Sequence, residues 1–107
     1  MLMNLAFFTK AVFVLGLVVC NVEVKAADTT KGAEVYVKHC QECHGSLGEG
    51  SSVMLNIPNF SQNEALLKSD EILLQAIAEG KNTMPAYMGI LNDSEIRDVI
   101  AFIRTLN

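Results

Sequence analysis

The chain has 107 residues, of which 50% are hydrophobic, with 12 acidic against 8 basic side chains and a net charge of −4. That length allows one domain. The acidic balance excludes binding to nucleic acid or anionic lipid through general electrostatics and directs the chain towards a neutral or basic partner surface.

The apolar content is concentrated at the start. Lys10 is followed by ten uncharged residues ending at Cys20, and then by Val24-Lys25-Ala26 ahead of Ala27. A basic start, a short apolar run and a small-residue site predict a cleaved signal peptide over residues 1–26, with the domain occupying 27–107. The run is shorter than the roughly 20 residues of a membrane span. Cys20 loosely matches a lipoprotein box, but Val19 fills the place where a small residue is expected, so a lipid anchor at Cys20 is the weaker reading. Removal of the leader leaves six basic and eleven acidic side chains, and a domain small enough for a core of side chains alone to be marginal.

Thr29 or Thr30 is expected to cap a first helix running from about Lys31 into Cys43, with Ala33, Val37 and Cys40 along one face and Tyr36 beside them. Gly45, Gly48 and Gly50 with their serines predict a loop that Pro58 closes. A short helical segment is expected around 63–67. Ser69 is expected to cap a clearer helix with Asp70 and Glu71 in its first turn, a stripe of Ile72, Leu73, Ala76 and Ile77, and Gly80 at its end. Residues 81–91 read as a second loop. A last helix starts at Asn92 or Asp93, with Glu95 completing a capping box and Ile96, Val99, Ile100 and Ile103 as its apolar face. No segment alternates with the period of a strand, so the expected fold class is all-α. Loops this long suit a small domain if they wrap a cofactor.

The chemistry is concentrated in Cys40-Gln41-Glu42-Cys43-His44. A Cys-x-x-Cys-His run predicts covalent attachment of a c-type haem: two thiols on one helical face reach two vinyl groups, and the next residue offers an imidazole to the iron. Three other readings compete. A dithiol redox motif calls for a preceding strand, and none is legible. A zinc site calls for four ligands, whereas Cys40, Cys43, His44 and His39 are crowded together with no second cluster downstream. A disulfide between Cys40 and Cys43 would close a very small loop and stabilise little. His39 diverges from His44 on a helix and reads as a surface residue. For the sixth iron position Met84 is expected, because Pro85 and the surrounding loop can carry its thioether over the far face. Met88 and Met54 are the competitors, and gap-filling in the core is the alternative for any of them.

From Gly32 to Leu106 these residues resemble the class I cytochromes c. Gly32, Tyr36 and Cys40 fall at that family's offsets, Pro58-Asn59-Phe60 is similar to its proline segment, Gly80 to Pro85 to its methionine segment, and Asp93 to Leu106 to its closing helix. The resemblance implies three to four short helices wrapped around one haem attached through Cys40 and Cys43. It implies His44 and Met84 as axial iron ligands and Tyr36, Pro58 and Phe60 in the haem pocket. The Pro58 carbonyl would accept the free N–H of His44, and Phe102 would pack on the first helix at Gly32. The short span between motif and methionine is similar to bacterial periplasmic forms. The lysine-rich face of mitochondrial forms is missing, leaving Lys31, Lys38, Lys68, Lys81, Arg97 and Arg104.

The expected function is that of a periplasmic electron carrier between a donor and an acceptor redox protein, with no small-molecule substrate and no enzymatic activity. A second expectation is a haem subunit docked on a larger oxidoreductase through an apolar loop patch of Tyr87, Met88, Ile90 and Leu91. A third is a sensor or peroxidase with a labile sixth ligand. Membrane association would arise only through a partner or through Cys20.

Overall fold

The computed structural model describes residues 20–106 apart from 52–55 and 63. Four α-helices follow in chain order: α1 (Thr29–His39), α2 (Gln41–His44), α3 (Asp70–Glu79) and α4 (Asp93–Ile103). Short 3-10 turns cover Phe60–Gln62, Glu64–Leu67 and Arg104–Leu106. Among the described residues, β pairing is confined to isolated bridges, so the all-α expectation holds. The leader and Met54 lie mostly or wholly outside the described residues, although Cys20 is an exposed free thiol.

The helix starts follow their caps. α4 carries the reciprocal capping box, with the Glu95 N–H donating to Asn92 Oδ1 at 3.0 Å and the Asn92 N–H to Glu95 Oε2 at 2.8 Å. Ser69 caps α3 through a bond to the Ile72 N–H. At α1 the expectation needs correction. Asp28, not a threonine, is the cap, and its carboxylate accepts from the Thr30 and Lys31 N–H groups. A carboxylate is the better acceptor at the positive end of a helix. The Asp28 N–H in turn donates to Asp98 Oδ1 at 2.7 Å, which ties the start of α1 to a buried carboxylate on α4.

α1 packs most heavily on α4. Gly32 makes this possible: a Cβ there would overlap the Asp98 carbonyl and come within 2.9 Å of the Phe102 Cβ. Backbones approach this closely only where one of them has no side chain. Phe102 also stacks obliquely on Tyr36, with ring centroids 5.2 Å apart. The apolar face of α4 feeds two clusters. Val99 and Ile103 pack with Tyr36 and Phe60, and Ile96 and Ile100 pack with Ala78 and Leu91.

Two apolar assignments fail. Val37 and Ile72 are 63% and 53% exposed, because no described element covers them. Ala78 is buried in α3 instead, beside the half-buried Leu74. The first helix does not run unbroken into Cys43 either. Cys40, at φ −121° and ψ −36°, separates α1 from α2.

Candidate haem site

The break at Cys40 shapes the site. Its N–H still closes α1 on the Tyr36 carbonyl (2.9 Å), while its own carbonyl accepts from Cys43 (3.2 Å) and His44 (2.9 Å) to open α2. Cys40 therefore belongs to both helices, and the thiols and imidazole are set on one short turn. Beyond it the loop is pinned by bonds from Gly50 N–H to the His44 carbonyl (2.8 Å) and from Tyr36 Oη to the Gly45 carbonyl (2.6 Å).

On the opposite side, α3 ends at Gly80, whose φ of +76° suits glycine. A Cβ there would meet the Met84 carbonyl at 2.7 Å and the Ala86 nitrogen at 2.8 Å, so the following backbone folds back against it. Lys81 and Met84 exchange backbone hydrogen bonds of 3.1 and 3.0 Å across a tight turn, with Asn82 at φ +54°. This turn presents Met84 and Pro85 to the motif helices.

Between these two walls lies a cavity of about 400 Å³, a size in the range of cofactor sites. Cys40, Cys43, His44, Pro58, Met84 and Tyr87 all line it. Segments distant in sequence thus bring together two thiols, an imidazole and a thioether. Tyr36 and Phe60 lie one layer behind the cavity. Tyr36 is 1% exposed, and Phe60 stacks on the His44 ring, with centroids 4.9 Å apart and 17° between planes. Met88 is 68% exposed and does not line the cavity.

The electrostatics suit a neutral ligand set. Burial pushes the Cys40 thiol up to about 11, with Cys43 adding to the shift. That thiol is protonated at neutral pH, the opposite of a dithiol redox centre, which depends on a stabilised thiolate. Burial lowers the His44 pKa, favouring the uncharged imidazole that binds a metal. Among the described residues, His44 Nδ1 is buried without a hydrogen-bond partner. The bond to the Pro58 carbonyl that the resemblance implies is therefore not made, although Pro58 does line the same cavity, and the ring is held by its stacking on Phe60. A buried imidazole that lacks a partner for one nitrogen costs about 1–3 kcal/mol unless a ligand or donor pair orients it. Two thiols, a neutral imidazole and a thioether around an apolar cavity fit a c-type haem.

Sequence reasoning missed two features here. His39 is not a plain surface residue: it is half-buried, lines the cavity and meets the Tyr87 ring edge-on at 5.8 Å. The loop patch is also smaller than expected, because Leu91 is buried against the last helix and Tyr87 is half-buried. Met88 and Ile90 remain exposed. A tyrosine three residues after a loop methionine was the available signal, but its partner is remote in sequence.

Residues 27–103 match the family described as cytochrome c oxidase, cbb3-type, subunit III. The chain belongs to the class I c-type cytochromes. Cytochrome c6 of Thermosynechococcus vestitus is 38% identical over 73% of this chain and 70% of its own length. The cbb3-type oxidase subunit FixP of Bradyrhizobium diazoefficiens is 34% identical over 77% of this chain, which spans 29% of that protein. The structure of cytochrome c6 from the diatom Phaeodactylum tricornutum superposes with a TM-score of 0.60 at 25% identity, covering 74% of this chain and 93% of the other. As a c-type cytochrome the chain is an electron-transfer protein with covalently attached haem c, not an enzyme, and Cys40 and Cys43 stand in the attachment motif. It exchanges electrons with other redox proteins. Among the described residues no helix is long and apolar enough to cross a membrane.

Proposed function

We propose that this chain is a periplasmic one-electron carrier in which Cys40 and Cys43 form the two thioethers and His44 and Met84 are the axial ligands. The observation that carries the reading is the convergence of all four side chains on one cavity. When bound, the haem supplies reversible one-electron chemistry at its iron. His44, kept towards its uncharged form by burial and held in place by Phe60, would ligate the iron from one wall. Met84, fixed by its turn with Lys81, would ligate it from the other. With His44 and Met84 both holding the iron, the haem would offer a substrate no open position, and the electron transfer it supplies would be outer-sphere. Tyr36, Phe60 and the α1–α4 pair form a rigid backing that keeps the ligands in place in either oxidation state. Pro58 contributes a wall of the pocket. Export is supported by the leader pattern of residues 1–26 and by the exposure of Val22 and Val24 ahead of the packed domain. The mature protein then begins at Ala27, which intact-mass measurement checks.

Absorption spectroscopy of the purified holoprotein tests the ligands. The ferric protein is expected to show the weak far-red band of methionine-ligated haem, lost in Met84→Ala and kept in Met88→Ala. Persistence of the band in Met84→Ala would remove Met84 from the site. The match to FixP and to a cbb3-type oxidase family favours a second reading, a haem subunit docked on a larger oxidoreductase, for which exposed Met88 and Ile90 offer apolar contacts. Elution of the native protein as a monomer on size exclusion counts against it.

A further inference from the structure

We propose that Tyr87 is a positioning residue that latches the methionine segment to the motif helices, and so governs how readily the sixth ligand can be displaced. The inference rests on Met84 as that ligand.

The latch exists because α1 is interrupted. In a continuous helix the His39 carbonyl would accept from the Cys43 N–H, but Cys43 bonds the Cys40 carbonyl instead. The His39 carbonyl is left as one of the orphan acceptors of a helix end. Tyr87 Oη donates to it at 2.8 Å from 48 residues away, and the His39 ring lies edge-on against the Tyr87 ring.

The backbone of Tyr87 is anchored as well. Its N–H donates to the Ile77 carbonyl in the last turn of α3 (3.1 Å), and its carbonyl accepts from Ile90 and Leu91 (both 2.9 Å). Neighbouring Met88 donates to the Ala78 carbonyl at 2.9 Å. The 81–91 segment is therefore firmly attached to the end of α3. Among the described residues, the Tyr87 hydroxyl is what hydrogen-bonds that segment to the α1–α2 wall. Tyr87 lines the cavity beside both walls, so the separation of His44 and Met84 is set through this link. A phenylalanine would keep the ring packing and lose the latch.

The experiment uses ferric holoprotein and added imidazole, which binds the iron only when the sixth ligand leaves. Tyr87→Phe is expected to keep the far-red band at neutral pH and to bind imidazole roughly fivefold faster, the factor that one hydrogen bond is worth. Asn92→Ala, which removes the α4 cap at a residue that does not line the cavity, serves as a destabilised control, and its rate is expected to match the parent. A Tyr87→Phe rate equal to the parent's, or an equal acceleration in Asn92→Ala, overturns the latch. Retention of the band in Met84→Ala overturns instead the ligand reading on which the latch rests.

Discussion

The α1–α4 crossing and the cavity between the motif helices and the methionine segment are built on different terms. At the crossing, Gly32 brings backbone against backbone, and Tyr36, Val99, Ile103 and Phe102 fill the flanks. At the cavity, the walls are short turns joined by single hydrogen bonds, and the buried His44 Nδ1 lacks a partner among the described residues. Stability is concentrated in the first region and chemistry in the second. A ligand set can be completed by a cofactor only where the chain has not already satisfied itself.

The largest effect should come from the crossing. Gly32→Ala drives a methyl into the Asp98 carbonyl and should cost about 3 kcal/mol or more in denaturant unfolding of the holoprotein. The folded fraction that survives should keep its far-red band. Loss of the band at unchanged stability would show that the two regions are not separable.

Arg104 comes next. It donates to the Leu66 carbonyl (2.6 Å), the Lys68 carbonyl (2.9 Å) and Asp70 Oδ1 (2.6 Å), securing the segment before α3 to the end of α4. Its side chain is 33% exposed, which discounts the ionic part, so Arg104→Ala should cost about 1–2 kcal/mol in the same assay. Asn92→Ala removes the α4 cap and should cost about 1 kcal/mol.

The smallest effect at neutral pH belongs to Tyr36→Phe, which removes the bond to Gly45 between the two regions. Its pH dependence is the more informative readout. Burial above all, and then the charges of Cys40 (absent once its sulfur is a thioether) and Glu49, push the Tyr36 hydroxyl from 10.0 up to about 12. The folded state then keeps its proton where the unfolded chain loses it, so this contribution is full below pH 10 and is lost as pH rises to about 12. Tyr36→Phe should flatten the stability profile in that window, and a profile parallel to the parent's would remove Tyr36 as its source.

Local signals were legible in the sequence and remote pairings were not. Ser69 and the Asn92–Glu95 box fixed two helix starts because capping involves residues three apart. The apolar face of α4 was readable because it packs on both sides, whereas Val37 and Ile72 fit the helical period yet find nothing among the described residues to cover them. The motif announced its thiols and imidazole, and its proximity to Met84 followed from Gly80 and the turn after it. The break at Cys40, the role of His39 and the latch from Tyr87 depend on contacts across the fold, which periodicity does not encode. Similarly, Tyr36 and Phe60 were legible as aromatics near the site, but their place one layer behind the cavity was not.

The tie from Asp28 to Asp98 spans 70 positions and joins the first helix to the last. A fold whose first and last helices close on each other is not completed piecemeal. While it is being synthesised, α1 lacks its main packing partner until α4 emerges, so the closure entropy of a long span of chain is met late. Cuts in the intervening loops, by contrast, would leave two fragments still able to recognise each other through their helices.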